Sequence, residues 1–167
     1  MSVPAPPPPP RRCNRRGRDL IQEFEQCRLE CYPDPITKGD PWTIGWGETG
    51  PGIVEGVSWT QAYADHRFDL ALARRERTVE RCVKVPVGDN AFAALCAFEY
   101  NTGALSGSTL LRKLNEGAPR DEVAEEFRRW IRVQGRPVKG LARRREAERA
   151  LFLRPEDPPG TDDPPPP

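Results

Sequence analysis

Glu25 and Asp34 stand nine residues apart, the first inside a helical pattern and the second in the Pro33-Asp34-Pro35 turn behind it. A chain reversal at that turn would bring both carboxyls to one cleft. Desolvation beside an apolar stripe favours the protonated form of a glutamate, which suits a general acid, while an aspartate in a polar turn stays ionised. That division of labour is the one glycoside hydrolysis requires. Thr43, on a strand after a Gly-containing turn, stands where it could help Asp34 orient a water. Spacing alone also admits a plainer reading, with Glu25 as a helix surface charge and Asp34 as a turn former.

Other chemistries find less support. Histidine-dependent nucleophilic catalysis would have to use His66, the single histidine, which lies in the charged helical stretch YADHRFDLALARRER with no Gly-rich elbow near any serine. A solvated helix position accounts for it. One histidine also excludes a multi-histidine metal site. The five cysteines (13, 27, 31, 82 and 96) are odd in number and lack CxxC spacing, against both a zinc ribbon and a disulfide framework. They read as reduced thiols. No GxxxxGK[ST] loop is present, so phosphate cradling is unsupported.

The elements that must position Glu25 and Asp34 follow from periodicity. Asp19 with Gln22 forms a capping-box variant, and Leu20, Phe24, Cys27 and Cys31 recur at helical spacing up to Pro33. Glu25 lies beside that stripe. Turn signals at 33–35 and 38–41, followed by WTIGWGET, predict short strands between Tyr32 and Thr49. Ser58 with Gln61 opens a long helix reaching about residue 83, and Asp89 opens another with Phe92, Leu95, Cys96 and Tyr100 inward. Ser108–Glu116 is a short helix, Pro119 starts one carrying Val123, Phe127 and Trp130, and Leu141–Leu153 closes the series. The fold class is α+β. Trp42, Trp46, Trp59 and Trp130 fall at core spacing.

Charge and proline are unevenly spread. Residues 1–18 carry five arginines and no acid, whereas residues 155–167 carry four acids and no base, so the net charge of +1 conceals a neutral middle. A Pro/Arg-rich tail (1–17) and an acidic Pro-rich tail (155–167) are predicted to be disordered, around a folded domain at 18–154. The arginine run 143–145, interleaved with Glu146 and Glu148, reads as a solvated helix face. A neutral folded region argues against nucleic-acid binding. No run of 18 apolar residues and no secretory leader is visible, which predicts no membrane span.

The string EFEQCRLECYPDPITKGDPWTIGWGET resembles the opening of the phage-type lysozymes of glycoside hydrolase family 24, the endolysins, with their E-G-x-R-L-x-A-Y-x-D setting followed by T-I-G-[YW]-G. The resemblance continues through FAALCAFEYNTGALSGSTLLRKLNEG to VKGLARRREAERALFL and covers roughly residues 18–153. It implies a lysozyme-like α+β fold, in which a small N-terminal lobe with a β-hairpin region is joined by a long helix to a mainly helical C-terminal lobe. It implies Glu25 as the general acid, Asp34 as the group that activates the attacking water, and Thr43 assisting across the cleft. Tyr100 and Asn101 match cleft-lining positions and stand as candidate substrate contacts. Inversion is the outcome the family implies, with carboxyls ~6.5–9.5 Å apart to admit a water.

The function implied is that of a monomeric endolysin. It would cleave the β-1,4 bond between N-acetylmuramic acid and N-acetylglucosamine without metal or cofactor. It would gather in the host cytoplasm until a holin opens the way to the periplasmic wall. Three residues depart from the family pattern: Gln26 replaces a glycine, Glu48 a histidine, and Glu99 a small or apolar residue. Two rival functions are an inactive peptidoglycan-binding module and an interaction protein acting through its basic Pro-rich arm.

Overall fold

The structure, a computed structural model, describes residues 8–34 and 38–157. Pro35 of the expected turn, residues 1–7 of the first tail and residues 158–167 of the second lie outside the described residues.

Helix α1 (Arg15–Glu25) begins earlier than Asp19. Its N-cap is Asn14, whose side-chain oxygen accepts from Gly17 N at 3.1 Å. Gly17 and Ile21 are its buried residues, one helical turn apart, and the same spacing arrives next at Glu25. The catalytic candidate thus ends the inward line of α1. At Gly17 α1 lies close against α3, since a Cβ there would lie 2.7 Å from Ala93 Cβ. The helix stops at Glu25, well before Pro33, because Gln26 turns the chain at φ 52°. Cys27 and Cys31 therefore leave the expected helical stripe, and Cys31 lies in strand β1 (Arg28–Tyr32).

Residues 11–13, just before α1, contact the body. Cys13 is buried, and its N–H donates to Glu76 Oε1 at 2.9 Å. Arg12 pairs with the other oxygen of Glu76 at 3.0 Å, and Arg11 lies 4.4 Å over the Phe92 ring. Glu156 accepts from the backbone N–H groups of Asp89 and Asn90 at 2.9 and 3.1 Å, capping a helix start that has no cap side chain of its own.

Strands β1, β2 (Thr43–Gly45) and β3 (Glu48–Thr49) form an antiparallel sheet in that order, with Tyr32 opposite Thr43 and Arg28 opposite Gly45. Helix α2 (Gln61–Cys82) links this small lobe to the rest. Its cap is Thr60, which accepts from Tyr63 N, while the expected cap Ser58 bridges to Glu30. Ala64, Phe68, Leu72, Glu76 and Val79 form its buried line.

Helix α3 (Asp89–Thr102) is enclosed from Asn90 to Glu99, as a near-continuous apolar run demands. Around it lie α4 (Thr109–Asn115, capped by Ser108), α5 (Arg120–Glu125) with a following 3-10 turn, and α6 (Lys139–Leu153). A short hairpin of β4 (Arg132–Val133) and β5 (Arg136–Pro137), not foreseen from sequence, leads into α6. Trp46 packs at a tilt against Phe68 at 5.9 Å and Trp130 edges onto Phe98 at 5.3 Å, in keeping with the core reading of both tryptophans.

Candidate active site

Glu25 is delivered to the junction of the lobes as the last residue of α1. Its Oε1 accepts from Arg144 Nη1 at 2.6 Å, a charge-assisted bond from a guanidinium that is itself 4 % exposed. Its Oε2 faces Gly47, where an added Cβ would stand only 2.5 Å away. Gly47 also has φ 83°, so the turn between β2 and β3 needs glycine twice over: for its backbone conformation and to admit the carboxylate. The immediate partners of its carboxylate are a buried guanidinium and a backbone edge.

The turn under Glu25 is fixed from two helices. Trp46 Nε1 donates to Asp65 Oδ1 on α2 at 2.8 Å, and Glu48 forms an ion pair with Arg67 on the same helix. From α3, the Tyr100 hydroxyl donates to the Trp46 carbonyl at 3.1 Å. Burial, followed by the nearby charges of Glu25 and Glu48, raises the Tyr100 phenol well above its ordinary value, so it remains a donor. Glu48, which replaces the family's histidine, is thus ion-paired.

Asp34 follows β1 in a closed turn. Its N–H donates to the Gly39 carbonyl at 3.1 Å and its carbonyl accepts from Lys38 N at 2.8 Å. Thr43 opens β2 opposite Tyr32, so the register sets Thr43 and Asp34 at the same end of the sheet. Arg28 and Gly45 pair at the other end, toward Glu25 and Gly47. Asn101 is exposed on α3 and accepts from Arg145 Nη2. Glu99 is buried and accepts from Leu105 N at 2.9 Å with Arg75 at 3.5 Å, so it closes a turn. His66 is exposed on α2, as expected of a solvated helix position.

The arginine run overturns its sequence reading. Arg144 and Arg145 are buried rather than solvated, and Glu148 is buried between them. Arg144 Nε donates to Glu148 Oε1 at 3.1 Å, and Arg145 Nε lies 3.3 Å from Glu148 Oε2. Only Arg143 and Glu146 of that stretch are exposed. The available signal was the i,i+4 and i,i+3 placement of both arginines against one glutamate, which is equally the pattern of a surface helix. What it lacked was the partner from α1.

A family model described as phage lysozyme matches residues 22–148. An endolysin of Acyrthosiphon pisum secondary endosymbiont phage 1 is 35% identical over 146 residues, covering 83% of this chain and 96% of that protein. A SAR-endolysin of Enterobacteria phage PA-2 is 36% identical over 114 residues, covering 67% and 68%. Among solved structures, the muramidase domain of SpmX from Asticaccaulis excentricus superposes with a TM-score of 0.76 at 32% identity, over 86% of this chain and 99% of that one. Together with the lobed α+β architecture and the glutamate held at the lobe junction, these matches place the chain in the phage lysozyme family, as a glycoside hydrolase of the peptidoglycan-hydrolysing endolysin type.

Proposed function

We propose that the chain cleaves the β-1,4 bond between N-acetylmuramic acid and N-acetylglucosamine, with Glu25 as general acid, Asp34 activating the water and Thr43 assisting it. The observation that carries this reading is the fixing of Glu25. One oxygen is taken by Arg144 at 2.6 Å, and the other lies against Gly47, where only the missing Cβ leaves room for it. An acid so held delivers its proton to the glycosidic oxygen from a single direction, which is the positional requirement of general acid catalysis. Asp34 and Thr43, at the far end of the same sheet, supply a base and a hydroxyl for a water attacking the anomeric carbon from the opposite face, with inversion. Tyr100 holds the turn beneath Glu25, and Asn101 offers its amide at the edge of α3. No step calls for a metal or cofactor.

Clearing of permeabilised Gram-negative cells tests the assignment. The wild type clears the suspension and Glu25→Gln does not; equal clearing by both would remove Glu25 from the mechanism. NMR of the first-formed product reads its anomeric configuration, and retention would exclude Asp34 as a base acting through water.

The protein is proposed to act as a monomer and to reach the wall from the host cytoplasm through a holin lesion. Among the described residues no helix is long and apolar enough to cross a membrane. Expression with and without a holin decides the route, since lysis without one would show export by another path.

A further inference from the structure

We propose that Glu148 is a positioning residue for this reaction: it holds Arg144, and through Arg144 it fixes Glu25. The inference rests on Glu25 being the general acid. Stability supplies no sufficient reason for three buried charges on α6, because apolar residues of similar volume serve a core at least as well. The geometry supplies another. The guanidinium of Arg144 is a rigid fork, and its two engaged donors point to different carboxylates: Nε to Glu148 Oε1 at 3.1 Å and Nη1 to Glu25 Oε1 at 2.6 Å. Fixing one tine fixes the other.

Glu148 is also what separates two like charges. Arg145 lies 3.3 Å from Glu148 Oε2, stacks 5.2 Å over the Phe98 ring, and donates to Asn101 on α3. Arg144 Nη2, Arg145 Nε and Nη1, and Glu148 Oε2 are buried without a hydrogen-bond partner among the described residues. Charge, more than a saturated set of hydrogen bonds, therefore holds the trio. The groups bearing on Glu148 are Arg144 and Arg145 from its own helix and Glu25 from α1. Burial pushes its carboxyl up to about 7, with the two arginines pulling the other way, so the network gains its full charge near neutrality. Above that pH Glu148 is an anion and holds Arg144 by charge as well as by hydrogen bond, and through it the position of Glu25.

Glu148→Gln preserves shape and an acceptor for Arg144 but mimics the protonated state at every pH. On soluble uncross-linked glycan chains, kcat of this variant is expected to fall about tenfold above pH 7 and less than twofold below pH 5.5. KM stays within about twofold, and the high-pH limb of the rate profile moves to lower pH. A kcat and pH profile matching wild type, with only Tm lowered, would show a purely structural role and overturn the proposal. Should Glu148→Gln fail to fold, Glu148→Asp keeps the charge and shortens the reach. It is expected to lower kcat while leaving the limb in place, and wild-type kcat there overturns the proposal equally. Glu25→Gln, assayed in parallel, separates the two claims. An active Glu25→Gln defeats the general-acid reading itself, whereas an inactive one beside an unaltered Glu148→Gln defeats only the positioning role.

Discussion

Replacing Gln26 with glycine should make this protein more stable without costing activity. Gln26 follows the last residue of α1 with φ 52° and ψ 110°, outside even the left-handed helical well that asparagine tolerates. A residue bearing a Cβ in such a sparsely populated region costs ~1–3 kcal/mol. Glycine removes that cost but returns ~0.5–1 kcal/mol through the greater freedom it gives the unfolded chain. The net gain lies between ~0 and ~2.5 kcal/mol, centred on about 1 kcal/mol. The bond from Gln26 N to the Gln22 carbonyl at 3.1 Å is made by backbone and survives the change, and the side chain removed is exposed. For a domain of this size a gain of about 1 kcal/mol corresponds to a rise in Tm of roughly 2–4 °C. In urea the midpoint should rise at constant slope, because native burial is unchanged. Gln26→Val, stiffer at Cβ, should move both readouts the opposite way. If Gln26→Gly melts at or below the wild-type temperature, the turn is not strained and the reasoning fails. The family's usual glycine at this position then needs another cause.

Gly47→Ala is expected to lose about 100-fold or more in kcat, since its Cβ would stand 2.5 Å from Glu25 Oε2 and displace the acid by about an ångström; turbidity clearing of permeabilised cells reads it directly. Gly17→Ala should destabilise by ~1–3 kcal/mol in urea unfolding, because its Cβ meets Ala93 Cβ at 2.7 Å where α1 crosses α3. Glu148 gives stability a pH dependence of defined sign. Its folded-state value of about 7 lies above the ordinary 4.5, so its contribution is whole below pH 4.5 and is lost as pH rises through 7. Glu126 and Glu146 are held below their ordinary value by Lys113 and Arg128 respectively, so their contributions are lost only in acid, outside that window. Unfolding free energies of wild type and Glu148→Gln should therefore draw apart between pH 5 and 8, and a constant difference would contradict the assignment.

Much of the fold could be read from local pattern because the local pattern is what nucleates it. Ser108 before α4, Pro119 before α5, the 22-residue α2 and the apolar α3 each announce themselves within their own residues. The errors share one cause. Asp19 and Ser58 had the chemistry of N-caps, yet Asn14 and Thr60 took the role because the chain is drawn against the body at Cys13 and Trp59. The first helix looked long because Cys27 and Cys31 kept its period. A positive-φ residue at Gln26 carries no periodic signature in a single sequence.

By itself the sequence determined which side chains could do the chemistry, the order in which the chain presents them, and the helices and strands that carry them. Tertiary structure alone decided which charges lie inside. Arg144 is 119 residues from Glu25, and no pattern of spacing connects them. Only the packing of α6 against α1 and α3 encloses that arginine and its neighbour, and enclosure is what turns a charge run into a fixed frame. In water such pairs are screened and mobile, while at a buried junction an unpaired charge is too costly to tolerate and each group must hold the next.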